Sequence, residues 1–169
     1  NTIGNWSAPE LGLASRKPYV ACVLERAQGV KRHEKFHIYD FTDPSFETNL
    51  RAAIRAKFAT DASLAHAAKD PMCIGLFVDN ELQFQKWIPA VGREQAAPYV
   101  DLYFRLCKEE LAKAAPGKLY LGSRFVGFRQ DGLLWRIAAK YCDVITVNAY
   151  ANSVYNLSER MFEKGKEKP

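Results

Sequence analysis

Short apolar runs alternate with longer amphipathic runs along this chain of 169 residues. The short runs are rich in β-branched and aromatic residues and mostly lack polar alternation, which is typical of strands buried on both faces of a parallel sheet. The pattern therefore predicts strands over residues 1–6, 19–24, 73–78, 119–122 and 143–150.

The amphipathic runs between them predict helices. Asp43 and Pro44 form a helix start signal, with Asp43 as the cap and Pro44 at the first helical position, ahead of a helix over 46–58. Further helices are predicted over 62–69, 94–115 and 131–141, and a last one from about 157 onward. In the predicted helix over 94–115, apolar residues at i, i+3, i+4, i+7 and i+11 form one stripe, which consists of Val100, Tyr103, Phe104, Cys107 and Leu111.

This alternation indicates an α/β fold with a parallel sheet, and two architectures compete. The number of strand units favours an open, doubly wound sheet, because a complete (β/α)8 barrel usually needs about 250 residues. Against it, no glycine-rich phosphate loop follows any strand. Polar and aromatic residues instead gather at the carboxyl ends of several strands, where barrel enzymes carry their chemistry.

Composition and charge narrow the function classes. The net charge is +5, and much of it lies in two runs, 31–35 and 164–168, which acidic residues interrupt, so solvated loops are the simplest interpretation. A basic surface could attract nucleic acid or an anionic polysaccharide, but no nucleic-acid motif occurs. No uncharged apolar stretch of about 18 residues occurs, so no membrane span is expected. The cysteines form no C-x-x-C pair and no histidine has metal-ligand spacing, so no metal site is expected.

The strongest candidate for catalysis is Glu81. The predicted strand over 73–78 ends in Asp79, Asn80 and Glu81, which places a carboxyl group at the carboxyl end of a strand. A carboxyl group at that place can serve as a general acid. The amide of Asn80 could hold a sugar hydroxyl. An acidic loop without a catalytic role is the alternative.

Other strand ends offer groups suited to binding a sugar. Asn5 and Trp6 follow the first predicted strand, and an indole face is a platform for a sugar ring, although a core tryptophan with a turn asparagine fits equally well. Arg124 could bind substrate or anchor a loop. Asn148 and Tyr150 end the last predicted strand, where a tyrosine hydroxyl could orient a neighbouring carboxylate or the ring could simply cap the rim. In the long loop after the second strand, Asp40 is a candidate for holding the loop against the strand ends.

Several of these segments, in this order, resemble the glycoside hydrolase family 50 β-agarases. N-T-I-G-N-W-S at 1–7 is similar to their second-strand segment, and D-P-x-x-I-G-x-F-V-D-N-E at 70–81 to their fourth. K-L-Y-L-G-S-R-F at 118–125 and D-V-I-T-V-N-A-Y at 143–150 resemble the fifth and sixth, and D-F-T-D-P-S-F at 40–46 resembles the junction after the third. The resemblance covers nearly the whole chain.

The resemblance implies a (β/α)8 barrel, with residues 1–169 as the central part of one catalytic domain, covering roughly the second to the sixth strand. It implies retaining cleavage of the β-1,4 galactosidic bonds of agarose to neoagaro-oligosaccharides, without a cofactor, by an exported enzyme, because agarose is too large to import. Glu81 would be the acid/base. The residues that would bind the sugar or line the cleft are Asn80, Asn5, Trp6, Arg124, Asn148 and Tyr150.

One required group is missing from the pattern. A retaining glycosidase needs a second carboxylate about 5–5.5 Å from the first, acting as the nucleophile. By the resemblance, the nucleophile would come from the seventh strand, beyond the segments found here, so residues 1–169 alone are expected to be inactive. Glu25 follows the predicted strand over 19–24, which is the wrong position. The rival hypotheses are another β-galactoside hydrolase, a carbohydrate-binding barrel without a nucleophile, and an open-sheet nucleotide-binding protein.

Overall fold

Helices connect most of the parallel strands in the computed structural model, which describes residues 2–4, 7–14, 17–127 and 129–150. The helices are α1 (Pro9–Leu13), α2 (Phe46–Thr60), α3 (Ala62–Ala67), α4 (Phe84–Val91), α5 (Arg93–Ala114) and α6 (Gly132–Tyr141). The strands are β1 (Tyr19–Leu24), β2 (Cys73–Val78), β3 (Leu119–Tyr120), β4 (Phe125–Val126) and β5 (Val147–Asn148). The predicted α/β class is confirmed.

The strands are neighbours in the order in which the chain makes them. β1, β2 and β3 form one parallel sheet in that order, and Ile3 adds a parallel bridge to Tyr19 at the other side of β1. β4 and β5 pair in parallel as a second, two-stranded sheet. A doubly wound sheet reverses its strand order at a switch point, and the described strands show no such reversal. They also do not close into a barrel within the described ranges.

The two strongest strand predictions are confirmed residue by residue, because β1 and β2 begin and end where the apolar runs do. The predicted strands over 119–122 and 143–150 are shorter in the structure, two residues each. Left-handed backbone at Gly122 (φ 73°) and Arg124 (φ 48°) ends β3 early and turns the chain into β4, which was not predicted. Of the first predicted strand, the described residues contribute only the bridge at Ile3.

The predicted helices agree with α2, α3, α5 and α6 to within a few residues at each end. The helix start signal was placed wrongly, since Ser45 is the N-cap of α2 and the Asp43 carboxylate instead accepts hydrogen bonds from the Ser45 backbone and hydroxyl. Two helices, α1 and α4, were not predicted, and α4 contains Pro89, a residue type that is unfavourable inside a helix. The helix predicted from about 157 lies outside the described residues.

An aromatic cluster forms the centre of the core and packs α5 against the sheet. The predicted apolar stripe of α5 is buried as expected, with Tyr103, Phe104 and Cys107 fully buried. The rings of Phe84 and Phe104 stack with centroids 5.8 Å apart, and Phe104 lies 6.0 Å from Phe125 of β4. Aromatic pairs at such distances add to the free energy gained from burial. The cluster therefore joins the elements on both sides of the loops that follow β2 and β3.

An ion-pair network around the buried carboxylate of Glu110 joins α2 to α5. Glu110 is 1% exposed and accepts hydrogen bonds from Arg55 at 2.6 Å, from Arg51 at 2.8 Å and from Lys113 at 3.0 Å. The bonds from Arg55, followed by those from Arg51 and Lys113, lower the pKa of Glu110 to about 2. This network fixes the position of α5, which carries Tyr103 beneath the candidate site.

None of the helices in the described ranges is long and apolar enough to cross a membrane.

Candidate active site

Side chains from the ends of three strands meet around the carboxylate of Glu81. Asn148 Nδ2 donates to Glu81 Oε1 at 2.6 Å and lies 3.1 Å from Asn80 Oδ1. Tyr150 Oη donates to the same Glu81 oxygen at 3.0 Å. Arg124 Nε donates to Asn148 Oδ1 at 3.0 Å. The structure thus brings together five of the seven site residues singled out from the sequence.

The network gives the Glu81 carboxyl group a defined orientation. Arg124 holds Asn148 Oδ1, and this directs the Asn148 amide nitrogen toward Glu81. Because Glu81 Oε1 accepts from two donors, the other carboxyl oxygen is the one that could carry a proton. Glu81 is half-buried, whereas Tyr150 is 86% exposed. One carboxyl oxygen is therefore held by the protein, and the other has no hydrogen-bond partner among the described residues.

The backbone at these strand ends is strained. Among the described residues, the non-glycine residues with positive φ are Asp79 (64°), Glu81 (55°) and Arg124 (48°). Such conformations cost about 1–3 kcal/mol each and cluster at functional sites. The Glu81 N–H compensates part of this cost by donating to the carbonyl oxygens of Ser123 and Arg124, both at 3.2 Å. The loops after β2 and β3 are thus held to each other directly at the site.

A buried carboxyl group that was not predicted as a site residue lies beneath the site. Asp79 is fully buried and accepts hydrogen bonds from Tyr39 Oη at 2.5 Å and from Tyr103 Oη at 2.9 Å. The Tyr39 hydroxyl in turn accepts from the Ala27 backbone N–H at 3.1 Å. Burial raises the pKa of Asp79 to about 6, although the hydrogen bonds from the tyrosines oppose the shift. The two tyrosines come from the loop after β1 and from α5, so their convergence has no signal in local periodicity.

The long loop after β1 is fastened to the segment that carries Glu81. The His37 N–H donates to Gln83 Oε1 at 3.1 Å, and the Gln83 N–H donates to the His37 carbonyl at 2.9 Å. The Arg32 guanidinium lies over the Tyr39 ring, 5.2 Å from its centroid, a cation–π contact. The His37–Gln83 and Tyr39–Asp79 bonds hold the loop beside the strand ends, and the Arg32 contact stabilises the loop internally.

Asp40 does not hold this loop against the strand ends as expected. Its carboxylate pairs with Lys31 at 2.9 Å and accepts from the Thr42 hydroxyl at 2.6 Å, so it stabilises the loop internally. The neighbouring Tyr39 makes the contact to the strand end instead.

Two predicted site residues, Asn5 and Trp6, lie outside the described residues. Within the described ranges, no group of three or more histidine, cysteine, aspartate or glutamate side chains could hold a metal ion.

This arrangement can be set beside known proteins. No family model matches the sequence, and no curated protein matches it. Solved structures do match. An agarase, AgWH50C, aligns with 96% of this chain at 24% identity and a TM-score of 0.68. PfGH50B aligns with 99% at 18% identity and a TM-score of 0.66, and an exo-β-agarase with 98% at 19% identity and a TM-score of 0.68.

The matches confirm at the level of the fold the resemblance to agarases inferred from the sequence motifs. The chain spans about a third of the length of these structures, with 31%, 34% and 31% of each covered.

Proposed function

We propose that this chain is the central part of the catalytic domain of an exported glycoside hydrolase that cleaves β-1,4 galactosidic bonds of agarose with retention. The observation that carries the proposal is the oriented carboxyl group of Glu81 at the carboxyl end of β2, within a cluster of side chains suited to sugar hydroxyls. The fold similarity to two agarases supports the substrate class.

In the proposed mechanism, Glu81 is the acid/base. Its donors Asn148 and Tyr150 hold one carboxyl oxygen, so the proton on the other oxygen can pass to the departing glycosidic oxygen, and the same group later removes a proton from water. Asn80 would bind a sugar hydroxyl beside the scissile bond. Arg124, Asn148 and Tyr150, with Asn5 and Trp6, would line the cleft.

The proposed domain is a (β/α)8 barrel, of which residues 1–169 supply roughly the second to the sixth strand. The parallel pairing of strands in chain order supports this architecture over a doubly wound sheet. The nucleophile would lie on a later strand, about 5–5.5 Å from Glu81. Residues 1–169 alone are then expected to leave agarose uncut.

The test uses the full-length protein that contains these residues. It is incubated with agarose, the products are identified by mass spectrometry, and the anomeric configuration of the first product is followed by NMR. Glu81→Gln is the central variant, since the amide keeps the shape of the side chain but cannot exchange a proton. Its matched control is Glu25→Gln, which alters an exposed glutamate at the end of β1.

We expect wild type and Glu25→Gln to release neoagaro-oligosaccharides with retention, and Glu81→Gln to be slower by about 10²–10⁴-fold, the usual size of an acid/base contribution. Cleavage of a different galactoside would change the proposed substrate but leave the proposed role of Glu81 unaffected. Equal activity of both variants would refute the role of Glu81. If no galactoside is cut but agarose oligosaccharides bind, the chain belongs to a carbohydrate-binding barrel.

A further inference from the structure

We propose that Asp79, held between Tyr39 and Tyr103, is a positioning residue that keeps the strained segment 79–81 in place and thereby orients the Glu81 carboxyl group. The proposal rests on the proposed function of Glu81 and goes beyond it, because Asp79 lies in the core and contacts no substrate.

The segment 79–81 departs from the geometry of a regular strand. Side chains two residues apart on a regular strand point to the same face. Asp79 and Glu81 do not share partners: Asp79 contacts two core tyrosines, whereas Glu81 contacts Asn148 and Tyr150. Their positive φ angles, 64° and 55°, allow this separation. Left-handed backbone is unfavourable for both residues, so it persists only where surrounding contacts impose it.

Contacts from three parts of the fold hold Asp79. Each oxygen of Asp79 is held by a tyrosine from a different element, one from the loop after β1 and one from α5. The Asp79 N–H also donates to the Leu24 carbonyl at the end of β1, at 2.7 Å. Asp79 is thus fixed from three directions, so the chain leaves β2 along one path only.

The position of Asp79 bears directly on the position of Glu81. Glu81 follows Asp79 by two residues, and its N–H is bonded to the loop after β3. If Asp79 loses its tyrosine partners, the left-handed turn can relax and Glu81 Oε1 moves away from the amide of Asn148. A displacement of about 1 Å at a catalytic group can cost about 10²-fold in rate.

The test compares Asp79→Ala with Asp79→Asn in the full-length protein. Alanine removes both acceptors. Asparagine can replace them: its Oδ1 accepts from Tyr39, and its Nδ2 donates to Tyr103 Oη, whose hydrogen turns to the Val78 carbonyl 3.3 Å away. We expect Asp79→Ala to lower kcat on the galactan about 10–100-fold with KM nearly unchanged, and Asp79→Asn to retain most of kcat.

A second substrate separates positioning from general damage. A dinitrophenyl galacto-oligosaccharide loses its leaving group without needing a proton, so formation of the glycosyl-enzyme from it, measured as the burst of dinitrophenolate, does not depend on a well-placed acid. We expect that burst to be nearly as fast in Asp79→Ala as in wild type. An equal loss on both substrates, or equal loss in the alanine and asparagine variants, would overturn the proposal.

Folding and function are kept apart by two further measurements. If Asp79→Ala does not fold, Tyr103→Phe removes one donor and should lower kcat on the galactan alone, whereas the control Tyr120→Phe, a buried tyrosine that does not bond Asp79, should not. If wild type cuts no galactoside, the proposed function fails, and crystal structures then decide the positioning role. Loss of the 2.6 Å contact between Asn148 and Glu81 in Asp79→Ala or Tyr103→Phe supports it, and its retention overturns it.

Discussion

The buried carboxyl of Asp79 should make the stability of the fold depend on pH in a direction opposite to that of most carboxylates. Burial raises the pKa of Asp79 from 3.8 to about 6 in the folded protein. Folding is therefore favoured while the group is protonated, and stability is lost as the pH rises from the unfolded pKa through the folded one. The full difference is about 2.2 pKa units, or about 3 kcal/mol at 1.36 kcal/mol per unit.

The variant to compare with wild type is Asp79→Asn, because the asparagine amide does not ionise. The free energy of unfolding of variant and wild type is measured by urea denaturation at about pH 4.5 and about pH 7.5, where the linkage relation gives a change of about 2 kcal/mol in their difference. We expect the free energy of unfolding of the variant, relative to that of wild type, to be higher by that amount at the higher pH. Taking the difference cancels the other titrating groups, which both proteins share.

A matched exchange of the opposite sign serves as the control. Asp143 accepts from Lys108 Nζ at 2.7 Å and from the Tyr120 N–H at 2.8 Å, and the bond from Lys108 is the main cause of its lowered pKa. Asp143→Asn should therefore lose stability relative to wild type only as the pH rises through the acid range up to about 4, and their difference should stay nearly constant between about pH 4.5 and about pH 7.5. If the difference between wild type and Asp79→Asn stays constant to within about 0.5 kcal/mol, the raised pKa of Asp79 is refuted, and with it the energetic account of that buried group.

Three other predictions follow from named contacts. Glu110→Gln should lower the free energy of unfolding by about 1–3 kcal/mol at neutral pH, a modest loss because its partners Arg55 and Lys113 are largely exposed to solvent. Urea denaturation in the acid range should show this loss shrinking as the pH falls from about 4.5 toward about 2. Gly75→Ala should destabilise the sheet by about 1–3 kcal/mol, because its Cβ would lie 2.9 Å from the Leu119 carbonyl oxygen; thermal denaturation tests this, and an unchanged midpoint would contradict it. Asn148→Ala should lower kcat by about 10–100-fold with little change in KM, because Glu81 loses its shortest hydrogen bond. Steady-state kinetics measure both constants, and a change in KM alone would contradict this prediction.

Local patterns predicted most of the elements. β1, β2 and α5 were found because uninterrupted apolar runs and a 3.6-residue stripe report burial directly. The elements that were missed or misjudged depend on less local features. β4 follows from the left-handed turn at Arg124, and the start of α2 was displaced because Asp43 caps a turn rather than the helix.

The candidate site was partly predictable for a simple geometric reason. Parallel strands present their carboxyl ends at one edge of a sheet, so polar residues that follow different strands are brought near one another. Glu81, Arg124 and Asn148 were identified on that basis, and the structure joins them in one hydrogen-bond network. The role of Asp79 could not be predicted in this way, because its partners lie in a loop and on a helix face whose periodicity indicated only core.

Periodicity and residue type over a few positions were enough to predict the α/β class, the main strands and helices, and the strand ends that carry the candidate site. Which atoms contact each other at that site depends on the folded arrangement. Asn148 and Tyr150 reach Glu81 across 67 and 69 residues of chain, and Tyr39 reaches Asp79 across 40. Such contacts depend on backbone angles at three strained residues, which are stabilised by packing from several elements at once and leave no mark on local sequence patterns.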